Sequence, residues 1–311
     1  VSGRPDSGES FDDYEARVKR YGWSWFRQDQ SAIEVLERYG DVRARAFGLA
    51  AGFETVGTEV VYRAGERWVG GRPALHGRLV DEALRRGGLD PTGDARDAVP
   101  QAVFLLGLPG AGKSSMLRPV AGELLRRVTE ASHVVVDTDI VRGLFPEYAD
   151  GLGSEVVQPE TSFVANRLLL DEAYRLRVNV ILDKVGDPDD TVAELRYLVR
   201  SGWSVWCLCA RIDVERASAR TRSRALESGR YVPPDLIRAI GERPIRAYEA
   251  VRESDVPVSG CALLDTDVPP GRPPIVLDAR PEGLFGSSGD HVTVWPRPVA
   301  PPDDQGVPSP W

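Results

Sequence analysis

The sequence predicts an α/β protein, a mainly parallel sheet with helices on both faces, preceded by a helical N-terminal extension. Two observations carry that prediction. From residue 101 onward, short apolar runs rich in β-prone residues alternate with amphipathic helical stretches, the signature of strands joined by crossover helices. The first of these runs, Val103, Phe104, Leu105 and Leu106, leads directly into Gly107, Leu108, Pro109, Gly110, Ala111, Gly112, Lys113 and Ser114. A helical pattern follows, so the glycine-rich segment joins a buried strand to a helix.

Taken in order, the first strand spans 102–106 and its helix 113–128, with Pro119 confined to the first two turns. A strand at 133–137 precedes a helix at 160–176, and a strand at 178–183 precedes a helix at 190–201. A strand at 203–210 leads to helices at 213–228 and 234–253. Cys261–Leu264 and Ile275–Leu277 are expected to add edge strands.

Upstream, residues 1–10 read as disordered and 11–45 as helical, with Ser31 and Glu34 forming a capping box ahead of Val35 and Leu36. The aromatic run Tyr21, Trp23, Trp25 and Phe26 suits packing against the main domain or an interaction surface. A helix from Ala74 to Arg86 places Leu75, Leu79, Val80 and Leu84 on one side, and 87–100 reads as a linker. The expected organisation is a disordered start (1–10), a helical extension (11–73), a catalytic α/β domain (74–280) and a Pro/Gly-rich tail (281–311).

The 311 residues are 42% hydrophobic, enough for a substantial core, and carry a net charge of −8. That charge argues against a dedicated nucleic-acid partner. No apolar run approaches membrane-spanning length, and the start of the chain does not read as a signal peptide; the expectation is a cytoplasmic protein with no membrane partner. Cys207, Cys209 and Cys261 have no metal-ligand spacing and read as buried free thiols.

The segment 107–114 fits G-x-x-x-x-G-K-[ST] at every position. Glycines in such a loop let backbone N–H groups turn inward around an anion, and the helix N-terminus adds its positive end. Gly107, Pro109, Gly110, Ala111, Gly112, Lys113, Ser114 and Ser115 are therefore expected to cradle the phosphates of ATP. Lys113 would reach the outer phosphates and Ser114 would ligate Mg²⁺. Lysine is rare in this chain, confined to Lys19, Lys113 and Lys184, and its retention in the loop fits a need for a compact ammonium.

The strand at 133–137 runs into Asp137, Thr138, Asp139, Ile140, Val141 and Arg142. Two carboxylates two apart at a strand's carboxyl end can take a proton from a hydroxyl or hold Mg²⁺ through water. Capping of the next helix accounts for one of them, Asp139, equally simply. Arg142 would face the same pocket.

The next strand ends in Asp183, suited to Mg²⁺ or to capping the following turn, and Lys184 follows, for substrate or solvent. Arg216, Arg220, Arg222, Arg224 and Arg230 outnumber their acidic neighbours. Arg220 and Arg224 share a helix face, as a lid over ATP or as a solvated basic surface. His76, His133 and His291 form no Ser/His/Asp arrangement. A nucleotide-binding regulatory module is the alternative to an enzyme, and the paired aspartates with the arginines favour the enzyme.

Over roughly residues 74–268 the chain resembles the zeta toxin family of P-loop kinases. The residues that carry the resemblance are Leu75 and His76, the loop 107–114, Asp139 to Arg142 with Pro146, Glu147 and Tyr148, and Glu160 with Thr161. Asn179 to Asp183, Arg220 with Arg224, and Gly229 to Pro233 complete it.

The resemblance implies a P-loop NTPase-type fold and a kinase that transfers phosphate from ATP to a hydroxyl of a nucleotide-sugar such as UDP-N-acetylglucosamine. It also implies restraint by a small helical antitoxin. On these residues Asp139 would be the general base, with Lys113, Arg220 and Arg224 acting on the transferred phosphoryl group. Ser114 would bind Mg²⁺ and Glu160 would contact the substrate; Asp183 for Mg²⁺, and Asp137, Arg142 and Lys184 for the acceptor, rest on their positions in the sequence. Lys184 and Phe145 depart from the family pattern near the acceptor, which leaves open a nucleotide, dinucleotide or antibiotic acceptor.

Overall fold

The computed structural model describes residues 58–89, 99–145, 148, 154–228, 232, 234–269 and 272–281. The expectations for residues 1–57, including the capping box and the aromatic run, lie outside these residues, as do most of the 87–100 linker and the tail from 282.

A short helix α1 (Thr58–Tyr62) and a two-stranded antiparallel ribbon, β1 (Arg63–Ala64) with β2 (Arg67–Trp68), lead into α2 (Arg72–Arg86). The main sheet then builds from β3 (Gln101–Gly107), α3 (Lys113–Glu130), β4 (His133–Val136), α4 (Thr138–Arg142) and α5 (Ser154–Phe163). A π-helical segment (Val164–Leu169), α6 (Leu170–Leu176), β5 (Asn179–Lys184), α7 (Pro188–Arg200) and β6 (Ser204–Arg211) follow. The last elements are α8 (Val214–Ser228), α9 (Pro234–Ile240), α10 (Arg243–Glu253), β7 (Gly260–Asp265) and β8 (Ile275–Arg280).

The strand order is β4-β5-β3-β6-β7-β8. All neighbours pair in parallel except β7 with β8, which are antiparallel. Of the two segments expected at the edge, only β8 lies there; Cys261–Leu264 sits inside the sheet as part of β7, paired to β6, contrary to the edge placement expected.

Side chains alternate across the sheet because a strand repeats every two residues. On β3, Ala102, Phe104 and Leu106 join the core that takes in Leu79 and Leu84 of α2, Leu195 and Leu198 of α7, and Tyr248 and Val251 of α10. Val103 and Leu105 point to the other face, against Ala121, Leu124 and Val128 of α3. Both faces are thus covered, which explains why these strands read as continuous apolar runs. Cys207 and Cys209 share one face, and all three thiols are buried and free.

Two helices expected to be continuous are not. The stretch 160–176 is interrupted by a π-helical segment, and 234–253 is broken at Gly241, whose φ is +51°. Helix α3 kinks at Ala121 (φ −105°, ψ 19°), two residues beyond Pro119.

Candidate active site

Strand β3 is flanked by β5 on one side and β6 on the other, so the crossovers diverge at its carboxyl end and leave a crevice there. The loop 107–112 fills that position. Gly107, Gly110 and Gly112 have φ of +152°, +82° and +75°. At Gly110 the requirement is absolute: a Cβ would lie 2.5 Å from the Ala217 carbonyl oxygen and 2.9 Å from Thr221 Cγ2. The loop therefore rests directly on α8, and it ends in the N-terminus of the 18-residue α3.

A cleft of about 660 Å³ opens above this loop. Its walls include Pro109, Gly110, Gly112 and Lys113 from the loop, Asp137 and Asp139 from the β4–α4 junction, and Asp183 and Lys184 from β5. Arg220 and Arg224 reach it from α8. The sequence-expected groups from four separate elements thus meet in one space.

Lys113 Nζ donates to the Gly107 carbonyl oxygen at 2.8 Å and lies 3.0 Å from Asp183 Oδ1. Asp139 Oδ1 accepts from Arg142 Nη1 at 2.9 Å. Arg142 is itself buried, also bonded to Gln158, and does not line the cleft; it holds Asp139 from behind. Arg220 Nη2 donates to the Thr266 carbonyl oxygen at 2.9 Å, tying α8 to the end of β7, and Arg224 is exposed at the cleft rim. Ser114 and Ser115 form the first turn of α3; their side chains, with those of Arg222 and Arg230, lie outside the described parts of the structure.

Three expectations change: the identity of the helix cap, and Arg142 and Glu160, which lie off the cleft. The helix cap is Asp137, not Asp139: its side chain accepts from the Asp139 backbone N–H at 2.8 Å, with extended backbone at the cap. Asp139 falls in the first turn of α4 and is left for the cleft. Lys184 lines the cleft with its side chain about a quarter exposed, and its Nζ donates to Glu194 Oε2 at 2.6 Å. The other Glu194 oxygen accepts from Tyr174, whose hydroxyl is held well above the ordinary tyrosine range by burial and by that carboxylate.

Glu160 does not line the cleft at all. It is fully buried, 2.6 Å from His76 Nε2 and 3.3 Å from Arg72 Nε. Arg72 also stacks on the Tyr62 ring at 4.2 Å, and His76 meets Trp68 edge-on. This ion cluster joins α5 to α2, because a buried carboxylate is stable only with compensating charge and hydrogen bonds.

Sequence reasoning missed several wall residues: Asn166 on the π-helical segment, and Asp187, Asp190, Thr191 and Glu194 at the start of α7. Asp187 follows Gly186 and caps α7 through the Asp189 N–H, a signal legible as Asp-Pro ahead of a helix. Asn166 carried no signal.

A parallel sheet with a phosphate-type loop at its switch point and lysine, aspartates and arginines converging above it defines a P-loop nucleotide-binding α/β protein. The zeta toxin sequence profile matches residues 90–259, more than half of the chain, and the chain belongs to that family. No curated protein matches it. Among solved structures, AvrRxo1-ORF1:AvrRxo1-ORF2 with sulphate ions is similar at 15% identity and TM-score 0.56, covering 72% of this chain and 76% of that one. The same complex with ATP gives 15% identity and TM-score 0.52 over the same shares. A structure of the PezAT chromosomal toxin–antitoxin system of Streptococcus pneumoniae gives 14% identity and TM-score 0.48, covering 67% and 82%. At these identities the likeness to the two AvrRxo1-ORF1 structures is one of fold. Among the described residues no helix is long and apolar enough to cross a membrane.

Proposed function

We propose that this chain is an ATP-dependent phosphotransferase acting on a hydroxyl of a small acceptor, with a nucleotide-sugar of the UDP-N-acetylglucosamine type as the first candidate. One observation carries the reading: the loop lysine, a helix-borne aspartate and two arginines line a single cleft of about 660 Å³, a volume suited to small-molecule ligands.

The positive-φ glycines and the α3 N-terminus suit a polyphosphate, whose charge favours inward-turned N–H groups. With the outer phosphate there, Lys113 exchanges part of its contact with Asp183 for phosphate oxygens. Arg220 and Arg224 face the same charge from α8, where preorganised cations favour the transition state. Asp139, its carboxylate fixed by Arg142, accepts the proton of the acceptor hydroxyl as that oxygen attacks the γ-phosphorus. The P–O bond to ADP breaks in line.

Ser114 and Asp183 would hold Mg²⁺, which supplies charge neutralisation at the phosphates. The donor set fits: Asp183 offers a hard oxygen beside Lys113.

A wider acceptor class is favoured by the Lys184–Glu194 pair, which adds no net charge, and by the neighbouring Asp187 and Asp190. That acidic wall suits a cationic acceptor such as an aminated antibiotic, and nucleotides and dinucleotides complete the panel. Membership of the zeta toxin family supports a helical antitoxin as the protein partner. ATP consumption measured against the panel, with mass detection of the phosphorylated product, tests the reading. Absence of both ATP binding and transfer to any acceptor refutes it.

A further inference from the structure

The π-helical segment Val164–Leu169 has no role in the proposed reaction as described so far. π-Turns are rare and cluster at functional sites, because the wider turn changes which side chains share a face. Here Val164, Ala165 and Leu169 stay in the core while Asn166 is exposed and lines the cleft. The segment packs against α4, which carries Asp139, and against β4. Asn166 is therefore on the Asp139 side of the cleft, away from the arginines of α8. Its amide forms no hydrogen bond to protein among the described residues, whereas the charged residues on that wall are already paired: Asp139 is bonded to Arg142, and Lys184 to Glu194.

We infer that Asn166 is an acceptor-recognition residue of the proposed phosphotransferase, presented by the π-turn to hydrogen-bond a neutral hydroxyl or carboxamide of the acceptor. The inference rests on the kinase reading. A primary amide offers two donors and an acceptor, so it reads a group that is itself both donor and acceptor, such as a sugar hydroxyl or an N-acetyl group. The charged walls are less suited to that task. A residue that binds acceptor in ground and transition states alike acts on acceptor KM and leaves kcat little changed.

Steady-state kinetics on the wild type, Asn166→Ala and Asn166→Asp test this, using the acceptor that the wild type turns over best and a deoxy or deacylated analogue of it. Asn166→Ala should raise acceptor KM about five- to tenfold, the effect of one lost hydrogen bond, with ATP KM and kcat within about twofold. Asn166→Asp, which keeps the shape and loses both donors, should raise it at least as much. The Ala variant should also lose discrimination between the acceptor and the analogue that lacks the bonded group. Unchanged acceptor KM in both variants, or an effect confined to ATP KM, overturns the role of Asn166 alone. A wild type that neither binds nor phosphorylates any acceptor, measured by calorimetry beside turnover, removes the kinase reading and this inference with it.

Discussion

Gly110→Ala is the sharpest probe of the phosphate loop. Gly110 sits at φ +82°, where an L side chain costs about 1–2 kcal/mol. Its new methyl would lie 2.5 Å from the Ala217 carbonyl oxygen, so the loop and α8 must part by about an ångström. Overpacking of this kind costs a further ~1–3 kcal/mol, giving a total near 2–4 kcal/mol.

The displacement separates Lys113 from Arg220 and Arg224, since Ala217 and both arginines share α8. ATP affinity should therefore fall at least about tenfold, equivalent to ~1.4 kcal/mol. Urea denaturation followed by the fluorescence of the buried Trp203 and Trp206 reads the first effect, and calorimetric titration with ATP the second.

Gly122→Ala is the control. It lies inside α3 with open space where the new methyl would go and no positive φ, so it should stabilise by about 0.4–1 kcal/mol. If Gly110→Ala matches wild type in both measurements, the loop is not wedged against α8 and the reasoning fails. If stability falls and ATP affinity holds, the packing is right and the cradle is misassigned.

Lys113→Ala should abolish turnover and weaken ATP binding in a coupled assay, because it removes the ammonium at the loop. Asp139→Asn should leave ATP affinity nearly intact and lower kcat by roughly 10²–10⁴, the usual effect of losing a general base; single-turnover kinetics decides. Glu160→Ala should cost about 3 kcal/mol in urea denaturation, since it leaves Arg72 and His76 buried without their carboxylate; a variant of normal stability with raised acceptor KM would instead make Glu160 the substrate contact that the family resemblance implied. Burial pushes the Cys209 thiol up to about 12 and raises Cys207 as well. A folded-state pKa above the unfolded one gives stability that is complete below the unfolded thiol pKa and is lost as pH rises toward the folded value. Stability should thus decline above about pH 9, by roughly 2 kcal/mol at pH 10.5 from Cys209 alone, and Cys209→Ala should flatten that limb of the pH profile.

The parts of the site legible in the sequence are those set by local geometry. The loop announces itself through glycine spacing, and Asp183 through its place at the end of an apolar strand. What eluded the sequence depends on contacts between distant segments. Glu160 and His76 are 84 residues apart, and only the packing of α5 on α2 turns two isolated polar residues into a buried hydrogen-bonded pair. The Asp137/Asp139 assignment turned on helix phase: an extended backbone at Asp137 makes it the cap and moves Asp139 into the first turn.

Asn166 is the hardest case, because apolar periodicity assumes 3.6 residues per turn. Across 160–176 that period is interrupted by the π-turn, which brings Leu170 and Ala173 back to the core side that Val164 and Ala165 occupy, while Asn166 lies on the cleft. A sequence that satisfies its core only by widening one turn sacrifices helical regularity at that point. Asn166, within that turn, lines the cleft on the Asp139 side, which is where an acceptor must be read if a hydroxyl is to be phosphorylated.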